Sequence, residues 1–195
     1  KGEAGYNYLY RLNCGGDDYT DSFGQLWLQD NTNYSHSWAE NFKDLNSYLA
    51  SQRTTNDPIR GTRDWKLFQH FRFGRHQLEY RFPVADGTYR IELYFTEPWH
   101  GTGGSASTDC EGLRIFDVAV NDSVVLDDLD IWAESGHDGV CKKVVYATVT
   151  GGMLRIHFPE VKAGQALISG IAIASTNEEL KPTVFPASDW SWEKA

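Results

Sequence analysis

The chain has 195 residues, 14% of them aromatic with seven Trp and ten Tyr, and a formal net charge of −9. That length supports one well-cored domain, and the acidic balance excludes the concentrated basic face that nucleic acid or an anionic membrane needs, so neutral partners are expected. No apolar run reaches the roughly eighteen residues of a membrane span and no charged-then-apolar leader is present; the opening KGEAG reads as a linker remnant within residues 1–7.

Tyr8, Tyr10, Leu12 and Cys14 alternate up to Gly15 and Gly16, which predicts a first strand ending in the acidic loop GGDDYTDSFG. Phe23 to Leu28 reads as a short strand carrying Trp27, followed by a Ser/Asn/His-rich loop. From Trp38 the apolar positions Phe42, Leu45 and Leu49 fall at helical spacing with Ser37 as N-cap, and SQRTTND then returns the chain to loop. In DWKLFQHFRFGRHQLEYRFPV the first half, with Trp65, Phe68, Phe71 and Phe73, predicts a strand into a turn at Gly74. The second half alternates cleanly from Gln77 to Val84, and the Ala85–Asp86–Gly87 turn predicts a hairpin with the strand Tyr89–Phe95.

The stretch YRIELYFTEPWHGTGG organises the chain. Tyr89, Ile91, Leu93 and Phe95 define one apolar face, and the strand then delivers Trp99 and His100 to a Pro- and Gly-containing loop. Leu113–Val120 reads as a central strand, with Asn121 and Asp122 turning into Val124–Leu126. Val144–Val149, Met153–Phe158 and Ala166–Ala174 are the closing strands, after which the pattern is lost although Phe185, Trp190 and Trp192 remain for packing. Strands at about ten-residue spacing with almost no helix predict an all-β, single-domain antiparallel β-sandwich.

The enzyme motifs are missing: no GxSxG elbow, phosphate loop, HExxH or dinucleotide fingerprint occurs. Glu97 with Asp117 or Asp138 can be drawn as a glycosidase pair, but nothing in the spacing favours it, and the acidic DDLDIW reads as loop carboxylates bonding their own backbone. The three cysteines form no zinc pattern; Cys14 reads as a core residue, while Cys110 and Cys141 stand in polar loops where a bridge is open. No cofactor is expected, with a structural calcium at GDDYTD or DDLD left open. A binding module needs less. A pyranose presents an apolar face and a hydroxyl rim, and Trp38, Phe73 and Trp99 offer plates with His100, Arg72 and Gln69 as polar partners.

The segments RLNCGGDDYTD, LFQHFRFGRHQLEYRFPVADGTYRIELYFTEPW, RIFDVAVNDSVVLDDLDIWAESGHDG and FPEVKAGQALISGIAIA, in this order from about Tyr8 to Ala174, resemble the malectin and malectin-like domains. They look most like the modules attached to bacterial β-galactosidase- or β-glucuronidase-type glycoside hydrolases. The resemblance implies a jelly-roll-like sandwich over residues 8–175, with 176–195 as a tail. It implies carbohydrate recognition without catalysis, a catalytic domain in the same polypeptide and an extracytoplasmic setting. It places the family's loop aromatics on Trp38, Phe73, Trp99 and His100 and the family's aspartate at about Gly164. Because the acid is absent there and one plate is His, the location of the site carries over but the family's glucose-disaccharide preference does not. The alternative is a structural domain of a multidomain hydrolase that has lost sugar binding.

Overall fold

The computed structural model of the chain describes residues 1–30, 50–75, 78–101 and 109–182. The helix expected from Trp38 and the aromatic tail at Phe185, Trp190 and Trp192 lie outside these residues. In chain order the strands are β1 Asn7–Cys14, β2 Tyr19–Thr20, β3 Leu26–Asp30, β4 Ala50–Thr54, β5 His70–Gly74, β6 Glu79–Pro83, β7 Gly87–Phe95 and β8 Ile115–Val120. They continue with β9 Ser123–Leu129, β10 Cys141–Val149, β11 Met153–His157, β12 Val161–Ala163, β13 Ala166–Ile168 and β14 Gly170–Ser175. Among the described residues two five-residue helices interrupt them, α1 Trp65–Gln69 and α2 Ile131–Ser135. The all-β sandwich expected from the alternating pattern is the fold found.

Six strands form one sheet in the order β10-β7-β14-β1-β3-β2, and the opposing five-stranded sheet runs β12-β8-β11-β6 with β9 on β8. All pairings between these strands are antiparallel except β1 with β3, and the isolated bridges Arg60–Gly139 and Glu97–His137 are parallel. The inner faces meet through Leu12, Ile91, Leu93 and Ile171 from one sheet and Tyr80, Phe82, Phe116, Leu154 and Ile156 from the other, all buried. Each such side chain contributes about 1.5–3 kcal/mol on burial. A second cluster of Trp27, Ile59, Leu67, Phe68 and Ala172 covers the outer face of the larger sheet. Cys14 is a core residue as expected, and Cys141 is a buried free thiol, so no bridge joins it to Cys110.

Four local expectations are corrected. Trp65–Gln69 is helical rather than a strand, because one helical turn lets Leu67 and Phe68 reach the outer cluster together. The polar SQRTTND includes a strand, β4, which gains its ladder from the facing β5 and not from any pattern of its own. Val84 and Tyr89 do not flank a hairpin: β6 pairs with β11 and β7 with β10 and β14, so Ala85–Gly87 is a corner between the two sheets. Both strands bury their apolar faces in one core from opposite sides, and alternation reads the same in either arrangement. Finally, Ala166–Ala174 divides at Ser169 into β13 and β14, which belong to different sheets. The expected Asn121–Asp122 hairpin is present between β8 and β9, with Asn121 at φ 51°.

The third sheet, β13-β5-β4, is small. Its anchor is a buried polar hub. Asp30 ends β3 of the first sheet, and its Oδ2 accepts from Arg72 Nε on β5 (2.7 Å) and from the Tyr80 hydroxyl on β6 (2.8 Å). Arg72 Nη2 also donates to the Asp30 carbonyl. One carboxylate therefore ties three sheets together and sets where β5 lies.

Candidate functional site

Strand alternation on the small sheet builds the floor of a cleft. Phe73 is the Cα partner of Leu167 on β13, and Phe71 is the partner of Arg53 on β4. Cross-strand partners share a face, so Phe71, Phe73, Leu167 and Arg53 face the cleft while Arg72, one residue out of phase, points away into the Asp30 hub. The cleft has a volume of about 740 Å³, and its walls are Thr54, Thr55, Pro98, Trp99, His100, Arg114, Gly164 and Gln165. This volume is in the range that holds small ligands.

The aromatic wall is held by Glu97. This side chain is 0% exposed, and its Oε1 accepts from the backbone N–H of Trp99 (2.9 Å) and of His100 (3.0 Å). Arg114 donates from Nε to Oε2 (2.5 Å) and from Nη2 to Oε1 (3.2 Å), and its Nη1 donates to the Gln165 carbonyl (2.6 Å). The Glu97–Arg114 pair thus joins the Trp99 loop to the loop before β13. Burial alone raises the Glu97 carboxyl, but the Arg114 guanidinium and the two backbone N–H groups outweigh it and hold the group below its ordinary value. The backbone of Glu97 is also bridged to His137, and the Asp138 N–H donates to the Glu97 carbonyl. Gly101, at φ 87°, closes the turn where a Cβ would lie 2.7 Å from Trp132 Nε1. On this fixed support the Trp99 ring stands 73% exposed.

Of the residues picked out from the sequence, Phe73, Trp99 and His100 come together on one cleft, and Trp38 lies outside the described residues. Arg72 is displaced from that set by the pleat: it is 0% exposed and bonded to Asp30, so it positions β5 and does not reach a ligand. Gln69 ends α1 with its side-chain amide donating to the Asp57 carbonyl (2.9 Å), and it is not on the cleft wall. Sequence reasoning missed Arg53, Thr54 and Thr55, which sit in a polar stretch without periodicity, and Arg114 and Gln165. The one usable signal was Arg114, a charge inside an otherwise apolar strand pattern.

The glycosidase drawing finds no geometric support, since Glu97 is buried in an ion pair. Asp117 accepts from the Asp128 N–H (2.9 Å), and Asp130 caps α2 through the Ala133 N–H (3.0 Å) while accepting from the Gly112 N–H (2.6 Å). In GDDYTD, Asp21 accepts from the N–H groups of Phe23 and Gln25 and from Trp27 Nε1. Among the described residues two groups bring ligand atoms within 4.8 Å of one another, Asp57/His137/Asp138 and Asp117/Asp127/Asp128. The second is an all-oxygen set suited to a hard cation. The Gly164 position lines the cleft at φ 64°, with a built Cβ 2.9 Å from the Leu113 carbonyl. A carboxylate there is opposed by the backbone as well as being absent from the sequence.

The sequence pattern of the malectin domain matches residues 8–177. The chain belongs to the malectin domain family. This malectin domain is 25% identical over 150 residues to malectin of Danio rerio, an alignment covering 76% of the chain and 47% of that relative. Among solved structures it is similar to a Bacteroides uniformis beta-glucuronidase, at 26% identity and a TM-score of 0.66 over 84% of this chain and 17% of that one. It also shares its fold with the plant receptor-like kinase ANX1, at 17% identity and a TM-score of 0.67 over 91% of this chain and 51% of that one. The malectin domain therefore spans about half the length of the curated relative and about a sixth of the glucuronidase. Family membership and the glycoside hydrolase similarity support a carbohydrate-binding role. Among the described residues no helix is long and apolar enough to cross a membrane.

Proposed function

We propose that this malectin domain is a non-catalytic carbohydrate-binding module, part of a larger extracytoplasmic glycoside hydrolase whose catalytic domain it brings to polysaccharide. The observation that carries this reading is Trp99, 73% exposed on a loop braced by Glu97 and facing a cleft floored by Phe73. An exposed indole on a rigid support loses little entropy when a flat apolar sugar face stacks on it. The Gln165 side chain and the His100 ring on the cleft wall supply donors and acceptors for the sugar rim. The similarity to beta-glucuronidase supports the attached hydrolase.

Titration of the chain against a glycan panel by calorimetry tests the proposal. Trp99→Ala is expected to weaken binding by about 1–2 kcal/mol, a factor of about five to thirty, without changing the fold. Undiminished binding by the folded variant removes Trp99 from the site. A second reading, a structural domain that has lost sugar binding, draws on Gly164 in place of the family's acid. It gains support if no glycan binds and the chain instead stabilises its parent enzyme.

A further inference from the structure

We infer that the cleft selects a carbohydrate bearing an anionic group, a uronate carboxylate or a sulfate ester, and that Arg53 is the residue that grips it. This rests on the carbohydrate-binding reading and names the ligand class for the same cleft. Arg53 is the cross-strand neighbour of Phe71 and shares its face, so its guanidinium rises beside the aromatic floor. It is exposed and makes no hydrogen bond or ion pair with any described residue. The other cleft arginine, Arg114, is already neutralised by Glu97 and spends its third donor on the Gln165 carbonyl.

The charge balance of the cleft departs from that of the chain. There are 27 Asp and Glu residues in a molecule of net charge −9, yet no Asp or Glu lines the cleft among the described residues. Glu97 reaches it only through Arg114 and is itself fully buried. The described wall thus carries one unopposed positive charge. At physiological salt, charges beyond about 8 Å are largely screened, so the remote acidic surface is little felt inside the cleft; the nearer Asp57 carboxylate accepts from the Thr55 hydroxyl (3.3 Å) outside the lining, and Arg53 is the unpaired charge that an anion in the cleft meets directly. The expectation of neutral partners drawn from net charge therefore does not extend to this cleft. A neutral pyranose uses the stacking plates and hydroxyl partners alone, whereas the planar guanidinium fork matches a carboxylate or a sulfate with two parallel N–H···O bonds.

The experiment titrates the full 195-residue chain with three probes at low and high salt: an oligogalacturonate, a sulfated galactan oligosaccharide and a neutral galacto-oligosaccharide. At low salt one anionic probe is expected to bind about tenfold tighter than the neutral one, with the preference shrinking at high salt, as one charge-assisted contact predicts. Whichever anionic probe shows it identifies the group as carboxylate or sulfate. Arg53→Gln, folded by circular dichroism, is expected to reduce the anionic-to-neutral affinity ratio about tenfold. Neutral and anionic probes binding alike, or a ratio unmoved in Arg53→Gln, overturns the anion inference and reduces Arg53 to a charge on an edge strand, leaving the carbohydrate reading intact. Binding of none of the three probes overturns the anion inference, and failure of a wider glycan panel to bind as well overturns the carbohydrate reading.

Discussion

Replacing Glu97 by Gln tests the support of the aromatic loop. The carboxylate is 0% exposed and receives four donors: Arg114 Nε and Nη2 and the N–H groups of Trp99 and His100. An amide of the same shape keeps one acceptor oxygen but turns an NH₂ toward donors, and it leaves the Arg114 charge unpaired. Removing one partner of a buried ion pair costs about 3–5 kcal/mol. Arg114 is 8% exposed and so retains a little hydration, which places the cost near the lower end, about 3 kcal/mol. For a domain of this size that corresponds to a fall in Tm of about 6–12 °C. The assay is a double-mutant cycle of Glu97→Gln, Arg114→Met and the two combined, followed by urea unfolding. The double variant is expected to be less destabilised than the sum by more than about 1 kcal/mol, since no charge is then stranded. Additive losses, or a loss below about 1 kcal/mol for Glu97→Gln, refute the argument that this pair holds the loop.

Two further expectations follow from the same packing logic. Glu92 is buried on the outer face of β7 and accepts from Tyr8, Tyr94, Arg90 and Lys142; burial raises its pKa, but Lys142, Tyr94 and Tyr8 together lower it from 4.5 to about 2. Its stabilisation is complete above the ordinary carboxylate value and is lost as pH falls toward the native value, so Glu92→Gln is expected to lower Tm at pH 7 and to flatten the acid limb between pH 4.5 and 2; an unaltered acid limb in a thermal melt series rules this out. Gly164→Ala meets both the φ of 64° and the Leu113 carbonyl at 2.9 Å, and a cost of about 1–2 kcal/mol in denaturant unfolding is expected; a neutral effect means the loop yields there, and an acid at this position is then sterically open.

Much of the architecture was legible because half-buried strands carry a period of two. The strand at Tyr89–Phe95, the strand ending at Val120 and the Asn121–Asp122 turn follow from neighbours within a few residues, whereas the pairing of Tyr89–Phe95 and the start of β8 at Ile115 do not. The cleft was legible only where its residues announce themselves chemically, as with Trp99 and His100 beyond a Pro or Phe73 in an aromatic run. Arg53 carries no such mark. Its face is set by pairing with Phe71, eighteen positions along the chain in a strand whose own sequence looks like loop.

Arg72 and Arg53 show where local pattern stops. Both are arginines near aromatics, and the sequence favours Arg72 because Phe73 is adjacent; yet adjacency in a strand places side chains on opposite faces, so Phe73 enters the cleft while Arg72 enters the Asp30 hub. Composition and alternation by themselves determined the all-β class, the apolar faces and the loop that carries Trp99. Only the tertiary structure decided that β6 and β7 lie in opposite sheets, that Arg114 pairs with Glu97, and that an acidic chain opens a cleft whose described wall bears a free arginine. The physical reason is common to all three: periodicity specifies which side of a strand is apolar, whereas the partner of each strand and each charge is chosen by contacts between residues distant in sequence.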